Sequence, residues 1–490
     1  MRILSKAGDE IKIIAMPNEK VDRGEYLLIE DEASGNKILT QIYEVSYLDP
    51  TGIDEEILRD EVFSSEKITH IDPNNVSSLL TMIKDARLLK GKIRGSIVDN
   101  KFTNEIIWLP SRVFSTIKKV SFSEINKYLA KNLKYPVEIG TTSLGEKFYV
   151  DASDLDGSLT IITGKKESGK SHLAKLLLSE LVKLGAYVFV FDLNNEYNGM
   201  MYDKNNNFSD IYNRIVVLEP GNNLVFTLKY IGKRVFTEIL THALDTPAIT
   251  VREFLKIWDS MNEESDVSIR NLYTKILEYK NNEMVKEALV SRYYSIVASK
   301  LFANSEYVNF DIKNNISSKP NGAAFVMEMA KVSPLARRML VQIILSKLIN
   351  LLEENQIPPV FIFAEEAHLY FDQTYWEDAI TRMRHFGIYV TFITNQPDSL
   401  DPTVYRQADN IFLFNFINEK DLEMISQAST ADSETVKNLV RSLPQKKCLI
   451  IGRVVNNLPF LVSVKEVNYK TLGTTKRFFD SEKEIEKAKR

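Results

Sequence analysis

A glycine-rich loop between an apolar stretch and a helical pattern is the feature that most constrains the fold of this chain. Gly164, Gly169, Lys170 and Ser171 fit the spacing G-x-x-x-x-G-K-[ST]. In such a loop successive backbone N–H groups converge on a phosphate, and the following helix adds the positive end of its dipole. The loop follows apolar residues 159–163 and precedes leucines at helical spacing. We therefore predict a strand, a phosphate-binding loop and a helix.

Strands and helices alternate from Gly157 onward, which predicts a parallel sheet with crossover connections. Near-continuous β-branched and aromatic runs indicate strands that are covered on both faces. The predicted strands are SLTIIT, AYVFVFD, RIVVLE, GAAFVMEM, PVFIFAE, YVTFIT, NIFLFNF and KCLIIGRVV. A helical pattern over about 232–306 interrupts this alternation and predicts an inserted helical bundle.

The first 110 residues are patterned as short strands separated by turns, which predicts a small β-barrel. A helix is expected near Val76–Leu88, between two pairs of strands. The connector after the barrel ends in a predicted hairpin, VEIGTTSLGEKFYVD, and the last residues form a charged tail.

Composition excludes several classes of protein. The 490 residues carry a net charge of −4, which argues only weakly against nucleic acid because basic residues can be confined to one channel. The single cysteine, Cys448, excludes an internal disulfide framework, and no Cys/His cluster has metal-ligand spacing. No signal peptide and no apolar run of about 18 residues is present. We expect a soluble cytoplasmic protein without a membrane partner.

An acidic pair at the end of a later strand supplies the second half of a triphosphate site. Glu365 and Glu366 follow the apolar run VFIF, where a parallel strand emerges at the carboxyl edge of its sheet. We predict that Glu365 holds Mg²⁺ through water and that Glu366 polarises the attacking water. Lys170 is expected to contact the β- and γ-phosphates of ATP, and the Ser171 hydroxyl to ligate Mg²⁺.

The predicted nucleotide-binding residues are Gly164, Lys165, Lys166, Glu167, Ser168, Gly169, Lys170, Ser171 and His172. Glu167 places an acid beside a triphosphate, so we expect it to point outward. Lys165 and Lys166 either offset its charge or face solvent.

Further polar residues follow other predicted strands. Asp192 ends one strand and Glu196 lies four residues later, while Asn395 and Gln396 follow another and can sense a γ-phosphate. Arg382 and Arg384 lie on a probable helix before that second strand. Of the two we favour Arg384 as an arginine finger that acts on the nucleotide of a neighbouring subunit.

The ordered set GKKESGKS, FDLNNEY, FAEEAH, RHFG, TNQPDSLD and LPQKKCLIIG resembles the HerA–FtsK family, most closely its archaeal HerA branch. The resemblance covers most of 1–468. It implies a homohexameric, ATP-driven translocase or helicase on double-stranded DNA that works with a NurA-type nuclease in DNA end processing. It also implies an amino-terminal barrel and a RecA-like core that carries a helical insertion.

With this resemblance the predicted fold is α/β: a RecA-like P-loop ATPase core with a parallel-rich sheet, an inserted helical bundle and an N-terminal β-barrel. The predicted domains are the barrel over 1–110, a connector over 111–150, the core over 151–231 and 307–468, the bundle over 232–306 and the tail over 469–490.

The family motifs carry over to Gly164–Ser171, to Glu365 and Glu366, to Arg384, and to Asn395 or Gln396. Three positions depart from the family: KKES replaces K-T-G-S in the loop, His385 replaces a lysine, and Gln396 stands where an arginine is frequent.

Three alternatives share the phosphate loop. A conjugation, secretion or packaging ATPase usually adds a membrane segment or a docking domain, and neither is visible in the sequence. A nucleotide-gated DNA clamp with little hydrolysis is favoured by the unusual loop and opposed by intact Lys170 and Glu366. A small-molecule kinase leaves the barrel and the bundle without a role.

Overall fold

The computed structural model describes residues 1–48, 85–105, 108–129, 131–304, 309–370, 380, 382–416, 418–428, 431–470 and 472. The chain forms two compact units, the first from 1–151 with 412–465 and the second from 152–411 with 466–490. Most of the helix predicted near Val76–Leu88 lies outside the described residues, and Arg87 and Leu88 begin a strand.

The first unit contains a seven-stranded antiparallel sheet. Alternating isoleucines and leucines, such as Ile11, Ile13, Leu27 and Ile29, bury one face of its strands in a common core. The spatial order is Arg2–Ala7, Glu10–Ala15, Arg87–Val98, Lys37–Tyr47, Tyr26–Asp31 and Ser115–Val120, with Lys101–Thr103 paired to Arg87–Val98.

The predicted barrel is confirmed only in part. Among the residues described, no backbone ladder joins the end strands Arg2–Ala7 and Ser115–Val120, so the strands form an open sheet.

The rest of the first unit combines a hairpin with a second antiparallel pair. The hairpin predicted within 137–151 is confirmed by the strands Pro136–Thr141 and Lys147–Asp151. Phe460–Val464 pairs with Lys447–Gly452 and with the first hairpin strand. Among the described residues of this unit, the helices are Phe122–Tyr128, Glu419–Ala428 and Ser433–Val440.

The second unit contains six parallel strands, as the alternating pattern predicts. Their spatial order is Ile215–Leu218, Ala323–Glu328, Tyr187–Asp192, Val360–Glu365, Ile388–Thr394 and Thr160–Thr163. The strand Asn410–Leu413 lies where the chain passes from the second unit to the first.

Two long helices of this unit pack on the parallel sheet or on other helices. Lys170–Lys183 packs on the strands with a face of buried leucines, and Pro334–Glu353 begins at the capping side chain of Ser333. The shorter helices Ile312–Ser317 and Pro402–Arg406 connect strands.

The stretch predicted to be helical contains Leu228–Glu238, the π-helical turn Ile239–Ala243, and the helices Ala248–Glu263, Ile269–Glu278 and Glu283–Ala298. Among the described helices, none combines the length and the apolar character needed to cross a membrane.

The predicted domain boundaries stay a prediction. The compact unit that holds the amino-terminal sheet also contains 111–151, which the sequence assigns to a connector, and 412–465, which it assigns largely to the core. From the predicted tail, Tyr469 donates its hydroxyl to Asp210, and the Lys470 N–H donates to the Tyr202 carbonyl; 471 and 473–490 lie outside the described residues.

Candidate active site

Several predicted site residues meet at the carboxyl edge of the parallel sheet. Thr163 lies beside Thr394, and Glu365 lies beside Ile393, so three strands end at one level. The chain segments that follow them border a cavity of about 510 Å³. Its lining includes Lys166, Glu167, Lys170, Ser171, Asn194, Glu196, Glu365, Glu366, His368, Asn395 and Gln396.

The loop has a backbone that depends on its glycines. Gly164 and Gly169 have φ values of 154° and 121°, a region that a side chain makes costly. Glu167 adopts a left-handed conformation and is exposed, as are Lys165 and Lys166. Ser168 is buried, and its hydroxyl oxygen has no hydrogen-bond partner.

Lys170 is buried inside the loop. Its Nζ donates to the carbonyl oxygens of Gly164, at 2.7 Å, and Lys165, at 2.9 Å. Desolvation lowers the pKa of Lys170 to about 8, although Glu366 and Glu365 oppose the shift. An anionic ligand would stabilise the charged ammonium of Lys170, because it would replace the water that burial removes.

Glu365 is almost completely buried at the end of its strand. The Tyr197 hydroxyl donates to Oε1 at 2.9 Å, while Oε2 has no hydrogen-bond partner. Burial raises the pKa of Glu365 to about 8, and the carboxylates of Glu196 and Asp192 add to the shift. A cation beside Oε2 would relieve this arrangement.

Glu366 follows in a left-handed conformation, with φ of 46°, that turns the chain out of the strand. Its Oε2 lies 3.4 Å from both Thr394 Oγ1 and the Asn395 backbone nitrogen, and 3.7 Å from His368 Nδ1. The half-buried carboxylate faces the cavity next to Lys170, which suits a group that orients and polarises water.

Asp192 and Glu196 shape the loop after a neighbouring strand. Asp192 is fully buried and accepts backbone N–H groups from Asn194, Glu196 and Tyr197. Burial raises the pKa of Asp192 to about 6 despite these bonds. Glu196 reaches the cavity and pairs with Lys175 at 3.2 Å.

The two predicted arginines are not at this cavity. Arg382 and Arg384 are exposed and precede the strand Ile388–Thr394, at the opposite edge of the sheet. Arg384 Nη2 donates to Asp409 Oδ2 at 2.5 Å. Seven strand residues separate the two edges, roughly 20 Å. His172 lies on the first turn of the helix and does not border the cavity.

The chain is similar in sequence to known proteins. A family model described as the central domain of the helicase HerA matches residues 137–348. A DNA double-strand break repair helicase HerA of Sulfolobus acidocaldarius is 22% identical over 94% of this chain and 92% of its own length. Its counterpart in Saccharolobus solfataricus is 24% identical over 66% of this chain and 67% of its own. Residues 137–348 are therefore similar to the central domain of the HerA family.

Solved structures show the same type of fold as this chain. VirB4 of Thermoanaerobacter pseudethanolicus has a TM-score of 0.52 and 16% identity, covering 69% of this chain and 98% of VirB4. The bacterial conjugative coupling protein TrwB has a TM-score of 0.51 and 14% identity, covering 72% of this chain and 94% of TrwB. The RecA-like α/β prediction for the core is thereby supported.

The cavity and the residues that line it fit ATP with Mg²⁺. The cavity has the size of a ligand pocket, the loop amides and Lys170 suit phosphates, and the unpartnered Glu365 Oε2 suits a cation or its water shell. Among the described residues no cluster of three metal-ligating side chains occurs.

Sequence reasoning overlooked Lys175, Tyr197 and His368 as parts of the site. Tyr197 is 168 positions from its partner Glu365, and only the strand order brings them together. Lys175 falls on the buried face of a helix. His368 carried one usable signal, because it lies two residues after the acidic pair.

Proposed function

We propose that this chain is an ATP-driven translocase or helicase of double-stranded DNA that forms a homohexameric ring and processes DNA ends with a NurA-type nuclease in the cytoplasm. The observation that carries the proposal is the meeting of Lys170, Ser171, Glu365 and Glu366 at one cavity. The named HerA relatives support DNA as the substrate.

In this proposal the loop amides and Lys170 hold the β- and γ-phosphates of ATP. Ser171 would ligate Mg²⁺ and Glu365 would hold it through water; when bound, the metal would neutralise charge on the phosphates. Glu366 accepts a proton from the water that attacks the γ-phosphorus, and the bond to the β,γ-bridging oxygen breaks to leave ADP and phosphate. Asn395 and Gln396 lie where the γ-phosphate can be sensed.

Arg384 acts on the nucleotide of a neighbouring subunit in this scheme. Its distance from the chain's own cavity excludes action within one chain, while its exposed position allows it to reach another. Hydrolysis removes contacts across the subunit boundary, so adjacent subunits shift, and this movement advances DNA through the ring.

ATP turnover by Glu366→Gln, with and without duplex DNA, tests the proposal. We expect DNA-stimulated turnover in the unaltered protein, and retained ATP binding with at least about a hundredfold lower turnover in the variant. Glu180→Gln, near the far end of the phosphate-loop helix, is the matched control and should hydrolyse ATP normally.

Equal turnover in Glu366→Gln and the unaltered protein would contradict the catalytic assignment. ATP binding and DNA retention without hydrolysis in the unaltered protein would instead identify a nucleotide-gated clamp. Movement of DNA only together with a membrane-bound partner would identify a conjugation-type ATPase, whose fold VirB4 and TrwB share.

A further inference from the structure

A second cavity, of about 240 Å³, lies at the amino edge of the parallel sheet and includes Arg384 and Asp409. The Asp409 side chain is the carboxylate that the proposed arginine finger contacts in its own chain. Nothing in the sequence motifs singles out Asp409, which precedes the strand Asn410–Leu413.

The carboxylate of Asp409 is itself fixed. Its Oδ2 accepts the Leu159 backbone N–H at 2.8 Å as well as Arg384 Nη2. The Asp409 backbone N–H in turn donates to the Leu159 carbonyl oxygen at 2.9 Å. Asp409 is therefore attached to Leu159 by both side chain and backbone, and it offers the guanidinium a rigid acceptor.

The contact leaves much of the guanidinium available. A guanidinium has five N–H donors, and within the described part of the chain Arg384 makes its hydrogen bond through Nη2. Nη1 and Nε can still bind a phosphate oxygen while Nη2 stays on Asp409. Because Arg384 is exposed, its side chain would sample many rotamers if it made no contact, and it would lose this conformational entropy on binding a phosphate. The contact with Asp409 restricts the rotamers beforehand and so reduces the entropy lost on binding.

Leu159 also connects this contact to the nucleotide site of the same chain. It directly precedes the strand Thr160–Thr163, which leads without interruption into Gly164 and the phosphate loop. A displacement of that strand when the loop binds phosphate would move Leu159, and with it Asp409 and Arg384.

We propose that Asp409 is a positioning residue: it orients Arg384 for the γ-phosphate in the neighbouring subunit and connects the finger to the phosphate loop of its own chain. The proposal rests on the proposed trans role of Arg384. In this proposal the Asp409 carboxylate connects one nucleotide site to the next site in the ring.

Steady-state ATP turnover of Asp409→Asn, Arg384→Ala and the double variant tests this role. Asparagine can still accept the Leu159 N–H, so the fold is retained, but it lacks the charge that holds the guanidinium. We expect kcat to fall about tenfold in Asp409→Asn with KM for ATP unchanged, and about a thousandfold in Arg384→Ala. The double variant should match Arg384→Ala, because Asp409 acts only through Arg384.

Asp259→Asn is the matched control, since it removes an acid from an exposed ion pair with Lys233 in the helical segment; its turnover should be normal. Asp409→Ser serves as the second variant if the asparagine substitution lowers the melting temperature. Losses that multiply in the double variant, or normal kcat in both Asp409 variants, would overturn the role of Asp409 while leaving the finger intact. Normal turnover in Arg384→Ala would overturn the finger itself, and the role of Asp409 with it.

Discussion

At the scale of single residues, Glu365 is unusual because its carboxyl group is buried beside other acids. A buried carboxyl group next to Asp192 and Glu196 is costly when it is ionised, and the Tyr197 hydroxyl offsets only part of the cost. The orphan oxygen Oε2 adds to it. Replacement of Glu365 by a residue that cannot ionise would remove this cost.

Replacement of Glu365 by glutamine should therefore change how stability depends on pH. The folded-state pKa is raised from 4.5 to about 8, so the folded protein holds this proton more tightly than the unfolded chain does. The stabilising contribution is complete below the unfolded pKa and is lost as pH rises through the folded pKa. Glutamine cannot ionise, so the variant escapes this loss.

Melting temperatures at pH 5.5, 7 and 8.5 measure the effect. We expect the variant to gain on the unaltered protein by about 2–5 °C between the lowest and highest pH. Glu180→Gln, which replaces a half-buried acid on the same unit, should show the same pH dependence as the unaltered protein. A constant difference between Glu365→Gln and the unaltered protein across this range would contradict the raised pKa, because Glu365 would then not change its protonation differently in the folded and unfolded states.

At the scale of elements, the phosphate loop depends on backbone conformations that only glycine adopts cheaply. Gly169 ends the loop with φ of 121° and is the first flanking residue of the helix Lys170–Lys183. Gly185 follows the other end of that helix with φ of 94°, and no atom lies within 4 Å of the position where its Cβ would be. The two glycines share a helix and a positive φ but differ in their distance from the cavity.

Alanine substitutions at Gly169 and Gly185 should distinguish the effect of loop geometry on ATP binding from the effect of backbone strain on stability. Each substitution costs about 1–2 kcal/mol of stability, because a Cβ disfavours positive φ. Gly169→Ala should also weaken binding of a fluorescent ATP analogue at least about tenfold, since the loop amides no longer converge. Gly185→Ala should bind the analogue normally, and equal affinities in the two variants would show that Gly169 does not shape the site.

The sequence predicts the elements that local patterns encode. The strand, loop and helix around Gly164–Ser171 follow from one continuous stretch, and the turn after Glu365 follows from an apolar run that ends in acids. Relations between distant segments were not predictable, because no local pattern encodes strand order. The Tyr197–Glu365 and Arg384–Asp409 contacts are of this kind, and so is the open edge of the amino-terminal sheet.

At the scale of the whole molecule, the second unit carries two halves of a site at opposite edges of one sheet. Lys170 is buried at the carboxyl edge, and Arg384 is exposed at the amino edge. A closed ring of identical chains can bring the amino edge of one copy to the carboxyl edge of the next, because a head-to-tail interface repeats around a rotation axis. Each complete site then needs two copies.

This arrangement predicts complementation between two inactive variants. Lys170→Met cannot hold phosphate in its own cavity but still presents Arg384, whereas Arg384→Ala has an intact cavity and no finger. In mixed rings, an Arg384→Ala cavity beside a Lys170→Met subunit contains every required group. An equal mixture should therefore recover roughly a quarter of normal turnover when sites act independently, since two random neighbours form that pair about one time in four.

ATP turnover of the two variants, refolded or exchanged together and compared with each alone, measures this recovery. A mixture of Lys170→Met with the double variant Lys170→Met/Arg384→Ala is the control, because no pair of its subunits contains an intact cavity. Recovery in the first mixture alone requires that the finger acts between subunits. Its absence, despite mass measurements that show mixed assemblies, would mean that Arg384 serves no neighbouring site, and the movement of adjacent subunits would then need another trigger.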